Sequence, residues 1–136
     1  LLADGRIMCW GTNSQGQLGD GTFAGSTTPV SAGVDGGSGW APIDDAIAVD
    51  IGRYRACAIR SDGSVSCWGA VGDTGEPPDL LNTTVLCGSA VGISVGEGHI
   101  CAVLSSGDVS CWGDNYGTTT DSMTTPVAPV GYGMCP

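Results

Sequence analysis

The sequence predicts an all-β fold of tandem antiparallel hairpins held by disulfides, and three observations carry that reading. Gly and Pro make up 24 and 7 of the 136 residues, and both are poorly tolerated inside helices but common in tight turns. Short stretches such as Cys57-Ala58-Ile59 and Val65-Ser66-Cys67 alternate with the period of a strand. Finally, one ungapped pattern recurs at Leu1–Gly11, Ile59–Gly69 and Val103–Gly113, with its Trp at 10, 68 and 112. Hydrophobic residues at 41% argue against disorder, and no apolar run is long enough to cross a membrane as a helix.

Each copy of the pattern reads as a hairpin. In the second, Ser61-Asp62-Gly63 links two strands. A three-residue hairpin loop needs a left-handed residue at its third position, which glycine adopts without steric cost; Gly5, Gly63 and Gly107 all stand there. With that loop Arg60 faces Ser64 and Ile59 faces Val65, which places Cys57 directly opposite Cys67. The same construction sets Cys101 opposite Cys111. Both pairs come within disulfide reach. In the first copy Cys9 would face a residue two places before Leu1, so the sequence reads as part of a longer polypeptide, and the odd count of seven cysteines agrees.

The connections come next. Trp40 stands outside the pattern, after the Gly-rich stretch Asp35-Gly36-Gly37-Ser38-Gly39, and is a candidate for an exposed contact. Asn82-Thr83-Thr84, behind Pro77-Pro78, is an N-glycosylation acceptor expected in a loop. Ser26-Thr27-Thr28-Pro29 and the stretch 118–126 have the Ser/Thr/Pro composition of O-glycosylated segments. Cys87 and Cys135 follow their tryptophans at similar distances; pairing with each other and pairing with partners outside the chain both stay open. The opening Leu1–Gly5 has neither the basic nor the apolar region of a signal peptide.

Trp10-Gly11-Thr12-Asn13-Ser14-Gln15-Gly16-Gln17-Leu18-Gly19-Asp20-Gly21-Thr22, followed by Pro29-Val30, resembles the signature of the regulator of chromosome condensation repeat. So does Val95-Gly96-Glu97-Gly98-His99-Ile100-Cys101-Ala102-Val103. The resemblance implies a β-propeller, each repeat supplying one four-stranded blade of a closed ring. The chain would hold about two and a half repeats, divided as a partial blade with a long connection over 1–56, a second repeat over 57–100 and an incomplete third over 101–136. The second repeat departs from the pattern in replacing the Gly-Gln-Leu-Gly turn and in carrying Arg55 where the third has His99.

Family membership does not fix function. The resemblance implies exchange factors of small GTPases in the nucleus, inhibitors of β-lactamases, or secreted binding and structural modules. Fourteen acidic residues against four basic ones give a net charge of −10, which repels phosphate backbones and anionic membrane surfaces. With hairpin disulfides, which persist in oxidising compartments, that charge disfavours the nuclear reading. A metal site is not indicated: there is no Cys-x-x-Cys, and one histidine cannot complete paired ligand sets. His99 is expected as a blade-core residue bonded to a loop. Asp44, Asp45 and Asp50 have no Ca²⁺-loop spacing, and the Gly-rich turns lack the Gly-Lys-Ser/Thr of a phosphate cradle. Trp10, Trp68 and Trp112 are expected to pack between blades. The resulting expectation is a non-enzymatic extracellular or cell-surface scaffold without cofactors, working through other copies or the rest of its own polypeptide, with glycans attached and no nucleic-acid partner. The rivals are a propeller that binds or inhibits a protein through its loops, and an exchange-type regulator or enzyme part.

Overall fold

The computed structural model describes residues 1–35, 39–70, 79–86 and 89–113, with backbone alone at 34, 35, 79–86 and 113. Eleven strands run along these residues, and no helix: β1 Met8–Gly11, β2 Ser26–Ser31, β3 Gly33–Asp35, β4 Trp40–Pro42, β5 Ala46–Ile51, β6 Arg55–Arg60, β7 Val65–Gly69, β8 Asp79–Leu86, β9 Ala90–Val95, β10 His99–Leu104 and β11 Val109–Gly113. They form four antiparallel sheets: β1-β2, β3-β4, β5-β6-β7-β8 and β9-β10-β11. The all-β expectation holds.

The recurring pattern makes the recurring turn. Gly5, Gly63 and Gly107 sit at φ of 83°, 79° and 92°. At each, the glycine N–H donates to a carbonyl three residues back: Leu2, Arg60 and Leu104 (3.1, 2.9 and 2.9 Å). That same residue then donates its own N–H to the carbonyl after the glycine, at Arg6, Ser64 and Asp108 (2.8 Å each). The turn fixes the register, so Ile59 faces Val65 and Cys57 faces Cys67, while Val103 faces Val109 and Cys101 faces Cys111.

The strand that opens each large sheet lies ahead of its cysteine hairpin. β5 pairs with β6 from Ala46↔Arg60 to Ile51↔Ala56, and β9 pairs with β10 from Ala90 onward. A division at residues 57 and 101 therefore falls inside β6 and β10, whereas the sheets themselves begin at Ala46 and Ala90. The reason is that hairpin turns are legible in sequence, whereas β5 (Ala-Ile-Ala-Val-Asp-Ile) joins its sheet through the looser turn 52–54.

The sheets stack face to face, and the alternation of each strand distributes its side chains between two interfaces. On β6, Ala56 and Ala58 join Ile7, Cys9, Leu18, Ala32, Ile43, Ala46 and Trp68 in one core. On its other face Cys57 and Ile59 join Val65, Cys67, Val95, Ile100, Leu104 and Trp112 in a second. The four-stranded sheet is thus the middle layer, buried on both sides. Its junctions are stitched alike: the Gly5 carbonyl accepts from Ala46 N–H (3.0 Å) and the Gly63 carbonyl from Ala90 N–H (2.9 Å). Asp50 adds a cross-sheet bond, its Oδ2 accepting from Val95 N–H at 2.7 Å.

Candidate interaction surface

The cysteines mark one face of each sheet. Cys57 and Cys67 are joined, as are Cys101 and Cys111, each pair ten residues apart in sequence with Cα atoms 4.1 Å apart. The first pair is buried between sheets, whereas Cys111 of the second is exposed. Cys9 is a free, buried thiol; burial pushes its pKa up, with the negative charge of Asp20 adding to the effect. Cys87 and Cys135 lie outside the described residues.

The tryptophans mark the opposite face. Trp68 and Trp112 are buried, as expected for residues packed between blades. Trp68 is clasped by the loop after β1: its Nε1–H donates to the Gln17 carbonyl (3.1 Å), and its ring lies so close over Gly19 that a Cβ there would fall 2.7 Å from Cδ1. Asn13 holds that loop in shape, its buried side-chain oxygen accepting from Leu18 N–H (2.8 Å) and its Nδ2 donating to the Thr22 carbonyl (2.9 Å) and Asp20 Oδ1 (3.1 Å).

Trp10 breaks the pattern. It is 63% exposed against 2% for its equivalent Trp68, so the expectation of blade packing fails at this position. With Phe23, also exposed, Trp10 borders an open depression lined by Thr12, Asn13, Ser14 and Thr27. Trp40, expected as an exposed contact, is half anchored: its Nε1–H donates to the Gly19 carbonyl (2.8 Å) and its ring lies against Gly33, while part of it stays open to solvent.

The remaining candidates are dispersed. His99 is exposed and not a core residue, its ring lying over Gly96, where a Cβ would come within 2.6 Å of Cε1. It stands at the last pairing of its sheet, opposite Gly113, and lines a small cleft with Arg55 and Ala70. Asp45 pairs with Arg60, Asp50 serves the cross-sheet bond, and Glu97 pairs with Arg53 at 2.6 Å. Among the described residues no group of three or more His, Cys, Asp or Glu converges as a metal site, and no helix is long and apolar enough to cross a membrane. Asn82 lies in β8 and not in a loop, because Leu-Leu-Asn-Thr-Thr-Val-Leu is a strand-forming run that pairs with β7. Ser26–Pro29 lies in β2 with Thr27, Thr28 and Pro29 exposed; the stretch 118–126 lies outside the described residues.

Sequence and structural comparisons agree with this architecture. The model of the regulator of chromosome condensation (RCC1) repeat matches residues 46–72 and 90–117, so each match begins at the opening strand of a sheet. Human WBSCR16 superposes with a TM-score of 0.73 at 19% identity, over 93% of this chain and 33% of that one. Yeast RCC1 (Prp20), in its structure bound to Kap60, gives 0.68 at 18% identity over 96% of this chain and 34% of that one. Prp20p from Saccharomyces cerevisiae, described with its binding to Gsp1p and histones, gives 0.65 at 21% identity over 93% and 34%. The chain therefore spans about a third of the length of the structures it matches.

Proposed function

Because the chain carries regulator of chromosome condensation repeats folded as the blades of a β-propeller, we propose that it is a non-enzymatic protein-interaction scaffold acting outside the cell or at its surface, with a glycan on Asn82. The observation that supports this reading is the set of large apolar side chains exposed among the described residues, Trp10 and Phe23 around one depression and Val103 and Val109 on one hairpin. Exposed apolar patches of this kind on a folded protein mark contact sites. Support for an oxidising location comes from the two hairpin disulfides. A net charge of −10 sets it apart from a chromatin-docking role, which runs on clustered Lys and Arg. The acidic side chains Asp45, Asp50 and Glu97 are engaged in structural bonds, which favours binding over acid–base chemistry.

Native material tests the reading directly. Cell fractionation should place the protein outside, and non-reducing peptide mapping should return Cys57–Cys67 and Cys101–Cys111 joined and a heterogeneous mass on the Asn82 peptide. Cross-linking in place should capture protein neighbours. Recovery from the cytosol with all four cysteines reduced would refute it.

A further inference from the structure

β2 and β8 share an irregularity, and it falls where their sequences carry hydroxyl and amide side chains that accept sugars. β2 pairs with β1 at Cys9↔Val30 and again at Gly11↔Ser26, so Thr27, Thr28 and Pro29 all stand against Trp10. β8 pairs with β7 at Cys67↔Thr83 and again at Gly69↔Asp79, so Leu80, Leu81 and Asn82 all stand against Trp68. These are bulges of one size at one place in the repeat. Asn82, of the Asn-Thr-Thr acceptor, holds the bulge position that Pro29 holds in β2, and Thr28 directly precedes that position.

In β2 the bulge takes Thr28 out of the ladder. Its N–H donates to the Ser26 hydroxyl oxygen (3.2 Å), and its carbonyl accepts from the same hydroxyl (2.6 Å). Pro29 brings no N–H for pairing and keeps the residue before it extended. Thr28 is exposed. Its hydroxyl stands 3.4 Å from that of Ser26, longer than the roughly 2.5–3.0 Å of a well-formed O–H···O bond. Neighbouring hydroxyls are engaged: Thr22 Oγ1 donates to Asp20 Oδ1 (2.9 Å), and Ser26 Oγ to the Thr28 carbonyl. Thr27 lines the depression beside Trp10, whereas Thr28 does not.

Resting on the reading of an extracellular scaffold, we propose that Thr28 is an O-glycosylation site, and that the bulge opposite the tryptophan is where these repeats carry their sugars. Thr28 Oγ1 forms a bond to the anomeric carbon of a sugar phosphate donor, nucleotide- or lipid-linked. The bond from that carbon to the donor's phosphate oxygen breaks, the phosphate leaves with the electron pair, and the hydroxyl proton passes to a base of the transferase. An extended, unpaired segment meets such an enzyme while the sheets stay folded. Phosphate is the other group that a Thr-Pro hydroxyl takes, but its nucleotide donor belongs to reducing compartments, and the hairpin disulfides favour an oxidising one. A sugar on each bulge also blocks these strands against pairing with another chain, which directs binding to sheet faces and loops.

The test uses protein purified from its native source. Cleavage before aspartate releases residues 20–34 as one peptide, with Thr22, Ser26, Thr27, Thr28 and Ser31 as its hydroxyl side chains. Fragmentation that keeps modifications in place should localise a sugar mass to Thr28. Alkaline β-elimination should remove it and peptide N-glycosidase should leave it, while the Asn82 sugar responds the other way round. Produced in the same organism, Thr28→Val should abolish the sugar on this peptide and Thr27→Val should leave it unchanged. Circular dichroism matching the parent shows that neither change acts through misfolding; if a variant misfolds, the native peptide alone decides. A bare native peptide overturns the proposal, as do a sugar confined to Thr22, Ser26, Thr27 or Ser31 and a phosphate on Thr28. A bare Thr28 in an extracellular protein that still carries the Asn82 sugar overturns this site and leaves the scaffold reading standing. Recovery from the cytosol with reduced cysteines refutes the scaffold reading and this site with it.

Discussion

Trp68 and Trp10 occupy the same place in the repeat and different places in the energy balance. Trp68 fills the junction between the first two sheets and bonds to Gln17, so Trp68→Ala should cost about 3–5 kcal/mol of unfolding free energy, read by chemical denaturation. Trp10→Ala should stay within about 0.5 kcal/mol of the parent, because the ring is exposed. Equal costs would contradict the assignment of Trp10 to an open face. Cys9 offers a second test at this scale. Its thiol pKa is raised by burial, so the fold favours the neutral thiol. The stabilisation is fully present below the unfolded thiol's pKa and is lost as pH rises through the folded value. Thermal melts taken from neutral to alkaline pH should therefore fall more steeply for the parent than for Cys9→Ala, and native Cys9 should resist iodoacetamide until the chain is unfolded.

At the scale of the element, the hairpin is the unit that the sequence specifies most fully. Its glycine at positive φ, its register and its opposed cysteines all follow from one short pattern. A disulfide closing so short a loop contributes about 2–3 kcal/mol in the chain-entropy treatment, so the double change Cys57→Ala, Cys67→Ala should lower stability by at least that much, because a cavity is added in a filled core. The two bridges differ in access: Cys57 and Cys67 are buried, Cys111 exposed. Mild reductant on dilute protein should open Cys101–Cys111 first, as followed by timed alkylation and peptide mapping. Simultaneous opening of both would show that the third sheet does not protect the second.

Across the whole molecule, cohesion depends on docking one sheet upon the next. Asp50→Ala removes the acceptor of Val95 N–H and strands a partly buried donor, at a cost of about 1–3 kcal/mol. The expected outcome is faster hydrogen exchange across β9–β11 with little change in β6–β7; uniform acceleration would mean that the sheets open together.

The sequence by itself determined the turns, the strand pairing within each hairpin, the cysteine pairs opposite each other and the repeat they belong to. These are local properties: a glycine at the third loop position and a period of two fix which residues face each other across a few ångströms. Sheet boundaries escaped it, because β5 and β9 carry no turn signature and gain their place only by pairing with β6 and β10. The fates of Trp10 and His99 escaped it as well. Three equivalent tryptophans read alike in sequence, but burial depends on what stands beyond each one, and only the stacking of sheets decides that Trp68 and Trp112 have a neighbour across the junction while Trp10 faces solvent.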